Sequence, residues 1–179
     1  MSKSSYIEAG LHQIIVETDK VDLITMGRSE GPGCYCYINN LLRKFADDLQ
    51  ASYEWVVMDN EAGLEHLSRR TASKVDHLIV VVNGTPLAID CARRIDRLVT
   101  DLKNEVVNKY ILLNAVDEGR VEEMKEKIGD LNMTVLGHIP YDSAVEDCIF
   151  EGESLYSLDN SPAVLKMSEI MKKIGGSKG

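Results

Sequence analysis

Asp59 stands at the end of the apolar run Trp55-Val56-Val57-Met58, and Gly63 follows four residues later. An Asp delivered by a strand can hold the shell of a Mg²⁺ ion beside a nucleotide. A Gly in the following loop leaves its N–H free to approach a terminal phosphate and lets the loop switch. Many strands in α/β proteins also end in Asp for turn reasons, so the pattern by itself leaves a plain turn open. The second stretch is Gly31-Pro32-Gly33-Cys34-Tyr35-Cys36. Two cysteines one residue apart in an extended segment point to the same side. One pair cannot close a tetrahedral structural site, which takes four ligands. A two-fold dimer presents the pair twice and makes a four-sulfur site on its axis. Thiolates suit zinc, and nickel fits a tetragonal sulfur geometry. A redox pair, or two ordinary thiols, are the other readings. The remaining cysteines, Cys91 and Cys148, sit singly in helix-like stretches and read as small packed residues.

The elements that must position these groups follow from periodicity. Ser5 to Thr18 carries Ile7, Leu11, Ile14, Ile15 and Thr18 at helical spacing. Val21 to Met26 and Tyr53 to Met58 read as strands, as do the apolar runs Leu78 to Val82, Tyr110 to Leu113 and Thr134 to Ile139. Helices are expected over Ile38 to Leu49, Leu64 to Thr71, Pro86 to Leu102, Val121 to Ile128, Ser143 to Phe150 and Ala163 to Ile174. Strands alternating with helices over short connections give an α/β fold, a mostly parallel sheet with helices on both faces. One domain over residues 1–174 and a flexible tail over 175–179 are expected. In such sheets function sits where strands end. Those places are Gly27-Arg28, Asp59 to Gly63, Asn83 to Pro86, Asn114 to Asp117 and Pro140 to Asp142.

A chain of 179 residues with 44% apolar residues is long enough for a real core. Its formal charge of −9 argues against nucleic acid or an anionic membrane surface as a main partner. No apolar run approaches the ~18 residues of a membrane span, and Met1 to Gly10 lacks the pattern of a signal peptide. A cytoplasmic protein is expected. His12, His77 and His138 are isolated, Arg69-Arg70 reads as a solvated helix end, and Glu122, Glu123 and Glu126 alternate with Lys125 and Lys127 as on an exposed helix.

Taken together, the two stretches are more specific than either. The run from Met26-Gly27-Arg28 through Gly33-Cys34-Tyr35-Cys36 to Asn40-Leu41-Leu42-Arg43 resembles the cysteine loop and following helix of the CooC-type nickel-insertion ATPases. Met58-Asp59-Asn60-Glu61-Ala62-Gly63-Leu64-Glu65-His66-Leu67 resembles their Mg²⁺ and switch region, and the likeness continues to Ser161-Pro162-Ala163-Val164. These proteins belong to the MinD-like and nitrogenase-reductase-like P-loop group. The resemblance implies a P-loop NTPase fold, ATP or ADP with Mg²⁺, and nucleotide-dependent homodimerisation in supplying nickel to carbon monoxide dehydrogenase. It assigns Asp59 to the Mg²⁺ region, Gly63 to the γ-phosphate switch, and Cys34 and Cys36 to nickel or zinc. It sets Asn114 and the Pro140-Tyr141 turn around the adenine.

One departure from the family pattern bears on activity. The family carries a Gly-Lys-Thr phosphate loop on its first strand, and here no Gly is followed by Lys. Without that loop phosphoryl transfer loses its main electrostatic support. The chain is therefore expected to match the family from after its second strand, either as a shortened product or as half of a split protein, for which a missing N-terminal segment in trans is a candidate partner. It is expected to be inactive as an ATPase by itself. Two other readings stand beside this one. One is a metal-binding dimer module without enzymatic activity. The other is a related MinD- or ParA-type ATPase of different function, which would have no need of the cysteine pair.

Overall fold

The computed structural model describes residues 15–25, 52–60, 74–101 and 105–175. The chain divides into two compact units, Met1–Ser73 and Lys74–Gly179. In the first, β1 (Ile15–Val16) pairs antiparallel with β2 (Leu23–Ile24), Ile15 opposite Ile24. Thr18 shapes the turn between them. Its Oγ1 accepts from the Val21 N–H at 3.1 Å, and its own N–H donates to Asp22 Oδ1 at 3.1 Å. The helix expected through Thr18 is thus corrected at its end: helical spacing of apolar residues gave way to local Thr and Asp turn chemistry. The strand expected over Val21 to Met26 shrinks to Leu23–Ile24. The strand expected over Tyr53 to Met58 is irregular. Apolar, β-branched residues favour extended backbone, but a strand exists only where a neighbour completes its ladder. The expected helices over Ile38 to Leu49 and Leu64 to Thr71 lie outside the described residues.

The second unit matches the expected α/β pattern. It runs β3 (Lys74–Val82), α1 (Pro86–Asp101), β4 (Glu105–Asn114), α2 (Val121–Ile128), β5 (Thr134–Ile139), α3 (Ser143–Phe150) and α4 (Pro162–Gly175). The three strands form a parallel sheet in the order β3-β4-β5. Alternate residues of β4 serve opposite faces. Ile111 and Leu113 join Val80, Val82, Ile89, Ala92 and Met124 in a core beneath α1 and α2. Leu112 turns the other way, to Leu136, Ile139, Ala163, Ile170 and Ile174 beneath α4. Each fully buried aliphatic side chain contributes roughly 1.5–3 kcal/mol. Two cores on one sheet explain why β4 reads as a continuous apolar run, whereas on β3 Val80 and Val82 are buried and Val81 between them is exposed.

Pairing of β4 with β5 shifts between Ile111 and Leu112, so that Ile111 faces Val135 while Leu112 faces Gly137. The unpaired residue, Leu136, turns into the same core that Ile170 fills beneath Gly137. Gly137 makes the close approach possible, since a Cβ there would lie 3.0 Å from Ile170 Cδ1. Helix α1 begins by a local rule. Pro86 is its first residue, Thr85 Oγ1 accepts from the Ala88 N–H at 3.3 Å, and Thr85 donates in turn to Asn83 Oδ1 at 2.6 Å. Half-buried Asp96 of α1 pairs with Lys109 of β4 and also accepts from the Asn132 N–H at 3.3 Å, fastening helix to sheet. Cys148 is buried in α3 and Cys91 half-buried in α1, both as free thiols, which fits their reading as packing residues. Among the described residues no helix is long and apolar enough to cross a membrane.

Candidate functional site

Parallel strands bring their C-terminal ends to one edge of the sheet. Val82 lies opposite Leu113, and Asn114 opposite Ile139. Continuing that register, Asn83, Asn114 and Pro140 leave the sheet side by side. The structure therefore sets Asn114 at the end of β4 beside the end of β5, where Pro140 and Tyr141 follow.

Asn114 is exposed, between buried Leu113 and an abrupt bend at Ala115. Ala115 has φ +53°, the left-handed region that L-residues other than Asn and Asp seldom enter. The bend returns the chain at once to the core, where Val116 is buried with Leu113, and leaves Asn114 on the rim. Nothing in the residue type announced this, because an alanine carries no sign of a left-handed turn.

Tyr141 is 57% exposed, and its hydroxyl donates to the Glu146 carboxylate one turn into α3. That hydrogen bond pushes the phenol pKa up, helped by the charges of Glu146 and Asp147. Asp142 caps α3: its Oδ1 accepts from the Ala144 N–H at 3.0 Å. Its Oδ2 accepts from the Ser161 hydroxyl at 2.5 Å and from the Ala163 N–H at 3.2 Å, at the start of α4. The Ser161 hydroxyl, and after it these backbone N–H groups, hold the Asp142 carboxyl below the usual carboxylate range. One carboxylate thus fixes the turn that carries Pro140 and Tyr141. The sequence reading placed Asp142 at the strand end but missed this tie; Ser161 and Pro162 ahead of an apolar helical run were the available signal.

Chemically, this edge offers an exposed carboxamide that can donate and accept, and an oriented aromatic face. Those groups suit the edge and face of a nucleobase. An open recess of about 330 Å³ lies beside it, lined by Gly84, Asp90, Arg93, Arg120, Met124 and Lys127. Its cations are already engaged. Arg93 bonds to Asp130 and Asp90, Lys127 to Glu123, and Arg120 lies 4.0 Å from Glu123. A phosphate there would have to displace carboxylates.

Asp59 belongs to the first unit, exposed in its irregular segment, where Asn60 Nδ2 donates to the Met58 carbonyl at 3.3 Å. Gly63, Cys34, Cys36, Glu65, His66 and Arg69-Arg70 lie outside the described residues. Among the described residues no group of three or more His, Cys, Asp or Glu side chains could hold a metal ion. His77 stacks on Tyr110 with ring centroids 5.8 Å apart, in keeping with a packing role.

Comparison with known proteins adds relatives to this geometry. The chain is 37% identical over 179 residues to an uncharacterized ATP-binding protein of Methanocaldococcus jannaschii, covering 99% of this chain and 71% of the relative. It is 29% identical to the carbon monoxide dehydrogenase accessory protein CooC of Rhodospirillum rubrum, covering 93% of this chain and 65% of CooC. Among solved structures, the MinD cell division protein of Aquifex aeolicus superposes with a TM-score of 0.66 at 20% identity, over 79% of this chain and 62% of MinD, a likeness of fold. The chain thus spans just under two thirds of CooC and of MinD. No protein-family model matches it.

Proposed function

The chain belongs to the family of CooC-like, MinD-type P-loop ATPases, and on that premise we propose that it serves as a nucleotide-responsive component of nickel delivery to a carbon monoxide dehydrogenase. The observation that supports this reading is that Asn114 ends β4 opposite Ile139, so that Pro140 and Tyr141 follow at the neighbouring strand end. In this proposal Asn114 reads the edge of the adenine and Tyr141 lies against its face, held by Glu146. Asp59 serves the Mg²⁺ that accompanies the nucleotide, and Gly63 senses the γ-phosphate. Cys34 and Cys36 take up nickel or zinc, the cargo, where two copies of the chain meet. A relative named as an ATP-binding protein and another named as a carbon monoxide dehydrogenase accessory protein support it. The nucleotide supplies the switch, and this chain's residues supply base recognition and thiolates.

Binding of a fluorescent ATP analogue tests the reading. Wild-type protein is expected to bind it and to release it to ATP more readily than to GTP. Asn114→Ala and Tyr141→Ala should each weaken binding about tenfold, the loss of one good polar or stacking contact. Binding that neither substitution changes would remove the adenine site. Turnover is a separate matter. These 179 residues hold no Gly-Lys pair, so the chain by itself is expected to hydrolyse ATP no faster than a heat-treated control. Steady hydrolysis abolished by Asp59→Asn would contradict that. The same missing pair favours a second reading, a metal-binding dimer without nucleotide chemistry. Metal uptake by a chain with no affinity for ATP would establish it.

A further inference from the structure

At the far end of α3 the chain carries an apolar cluster that faces solvent. Ile149 is 64% exposed, Phe150 91%, Leu155 46% and Tyr156 88%. The opposite side of α3 is anchored, with Cys148 buried and Val145 packed on the core beneath α4. The cluster has a defined shape. The Glu153 N–H donates to the Cys148 carbonyl at 2.9 Å, and the Gly152 N–H to the Ile149 carbonyl at 3.1 Å. Gly152 takes φ +71°, which glycine adopts at little cost. Ser154 caps the next turn by accepting from the Tyr156 N–H at 3.3 Å. Adjacent exposed apolar residues held in one conformation are the mark of a contact surface.

Its charge says what kind of surface it meets. Asp147, Glu151, Glu153 and Asp159 lie in the same stretch of chain as the cluster, and no Lys or Arg occurs between Ile139 and Leu165. We propose that Ile149, Phe150, Leu155 and Tyr156 form a docking surface for a partner protein that presents an apolar groove bordered by Lys and Arg. A two-fold contact with a second copy would set Glu151 and Glu153 against their own images, which costs rather than gains. Anionic lipid and nucleic acid meet the same repulsion. A basic protein groove gains from both the apolar and the charged contacts.

The probe is a fluorescein-labelled amphipathic Leu/Lys helical peptide, followed by anisotropy, with a Leu/Glu peptide of the same pattern as its control. Wild type should bind the Leu/Lys peptide, more weakly as salt rises, and should leave the Leu/Glu peptide free. Phe150→Ser/Tyr156→Ser should lose about tenfold in affinity. Glu151→Lys/Glu153→Lys keeps the apolar groups and should lose a similar factor. Glu122→Lys/Glu126→Lys, on α2, should bind as wild type. Circular dichroism confirms that each variant is folded. Equal binding by wild type and Phe150→Ser/Tyr156→Ser overturns the proposal, as does an equal loss from the α2 variant. So does self-association of wild type that Phe150→Ser/Tyr156→Ser abolishes, or binding of anionic vesicles or DNA through the same residues.

Discussion

The Asp142 carboxylate and the Ser161 hydroxyl, 19 residues apart, meet at 2.5 Å and join the N-terminal ends of α3 and α4. Through the same carboxylate the Pro140-Tyr141 turn is tied to a helix that packs under the sheet. Ser161 is the one buried polar residue among the described positions. Ser161→Ala should therefore cost roughly 1–2 kcal/mol in chemical denaturation, the range for losing a helix cap. The effect should depend on pH with a defined sign. The folded-state pKa of Asp142 is depressed, chiefly by Ser161. The stability this supplies is present above the unfolded-state value and is lost as pH falls through the depressed folded value. The difference between wild type and Ser161→Ala should be full at neutral pH and shrink in acid. A difference that grows in acid would contradict the assignment.

Gly137 and Ile170 make the second such contact. A Cβ at Gly137 would approach Ile170 Cδ1 to 3.0 Å and Cγ1 to 3.1 Å. Gly137→Val should destabilise by about 1–3 kcal/mol through overpacking. Gly137→Ala should cost less in an Ile170→Val background, which lacks Cδ1, than in wild type. A thermal-denaturation cycle of the four proteins measures this coupling. Strict additivity would mean that α4 moves aside instead.

How much of this was legible in the sequence depends on where the information resides. Leu78 to Val82, Tyr110 to Leu113 and Thr134 to Ile139 revealed themselves by apolar composition, which serves cores on both faces of the sheet along β4 and β5 but leaves Val81 of β3 59% exposed. From their order came the edge at which Asn114 ends β4 and Pro140 and Tyr141 follow β5. Tyr53 to Met58 has the same apolar character but no ladder of its own, and composition does not state whether a partner strand is present. The shift that frees Leu136 is set by packing against Ile170, a residue far along the chain, and no local pattern encodes it. Thr18 and Asp22 did carry a local turn signal, which the helical spacing of Ile7, Leu11 and Ile14 concealed.

Ala115 stores backbone strain beside Asn114. At φ +53° an alanine lies about 1 kcal/mol above a glycine. Ala115→Gly should therefore raise the thermal midpoint slightly, or leave it unchanged where added freedom in the unfolded chain offsets the relief. Ala115→Val should lower stability by about 1–2 kcal/mol, because β-branching makes the left-handed region costlier. A Val variant as stable as wild type would show that the bend is not held in this conformation in solution.

Native mass spectrometry during titration with Ni²⁺ and with Zn²⁺ tests the proposed function at its centre, the cysteine pair. One pair supplies two thiolates, and a closed tetrathiolate needs four. Wild type is expected to take up one metal ion per two chains and to dimerise as it does so. Acid should release the metal by protonating the thiolates. Cys34→Ser/Cys36→Ser should lose both uptake and dimer. Cys91→Ser/Cys148→Ser should keep both, since Cys148 is buried in α3 and Cys91 half-buried in α1. One metal ion per single chain, or uptake that survives in Cys34→Ser/Cys36→Ser and fails in Cys91→Ser/Cys148→Ser, would contradict the account.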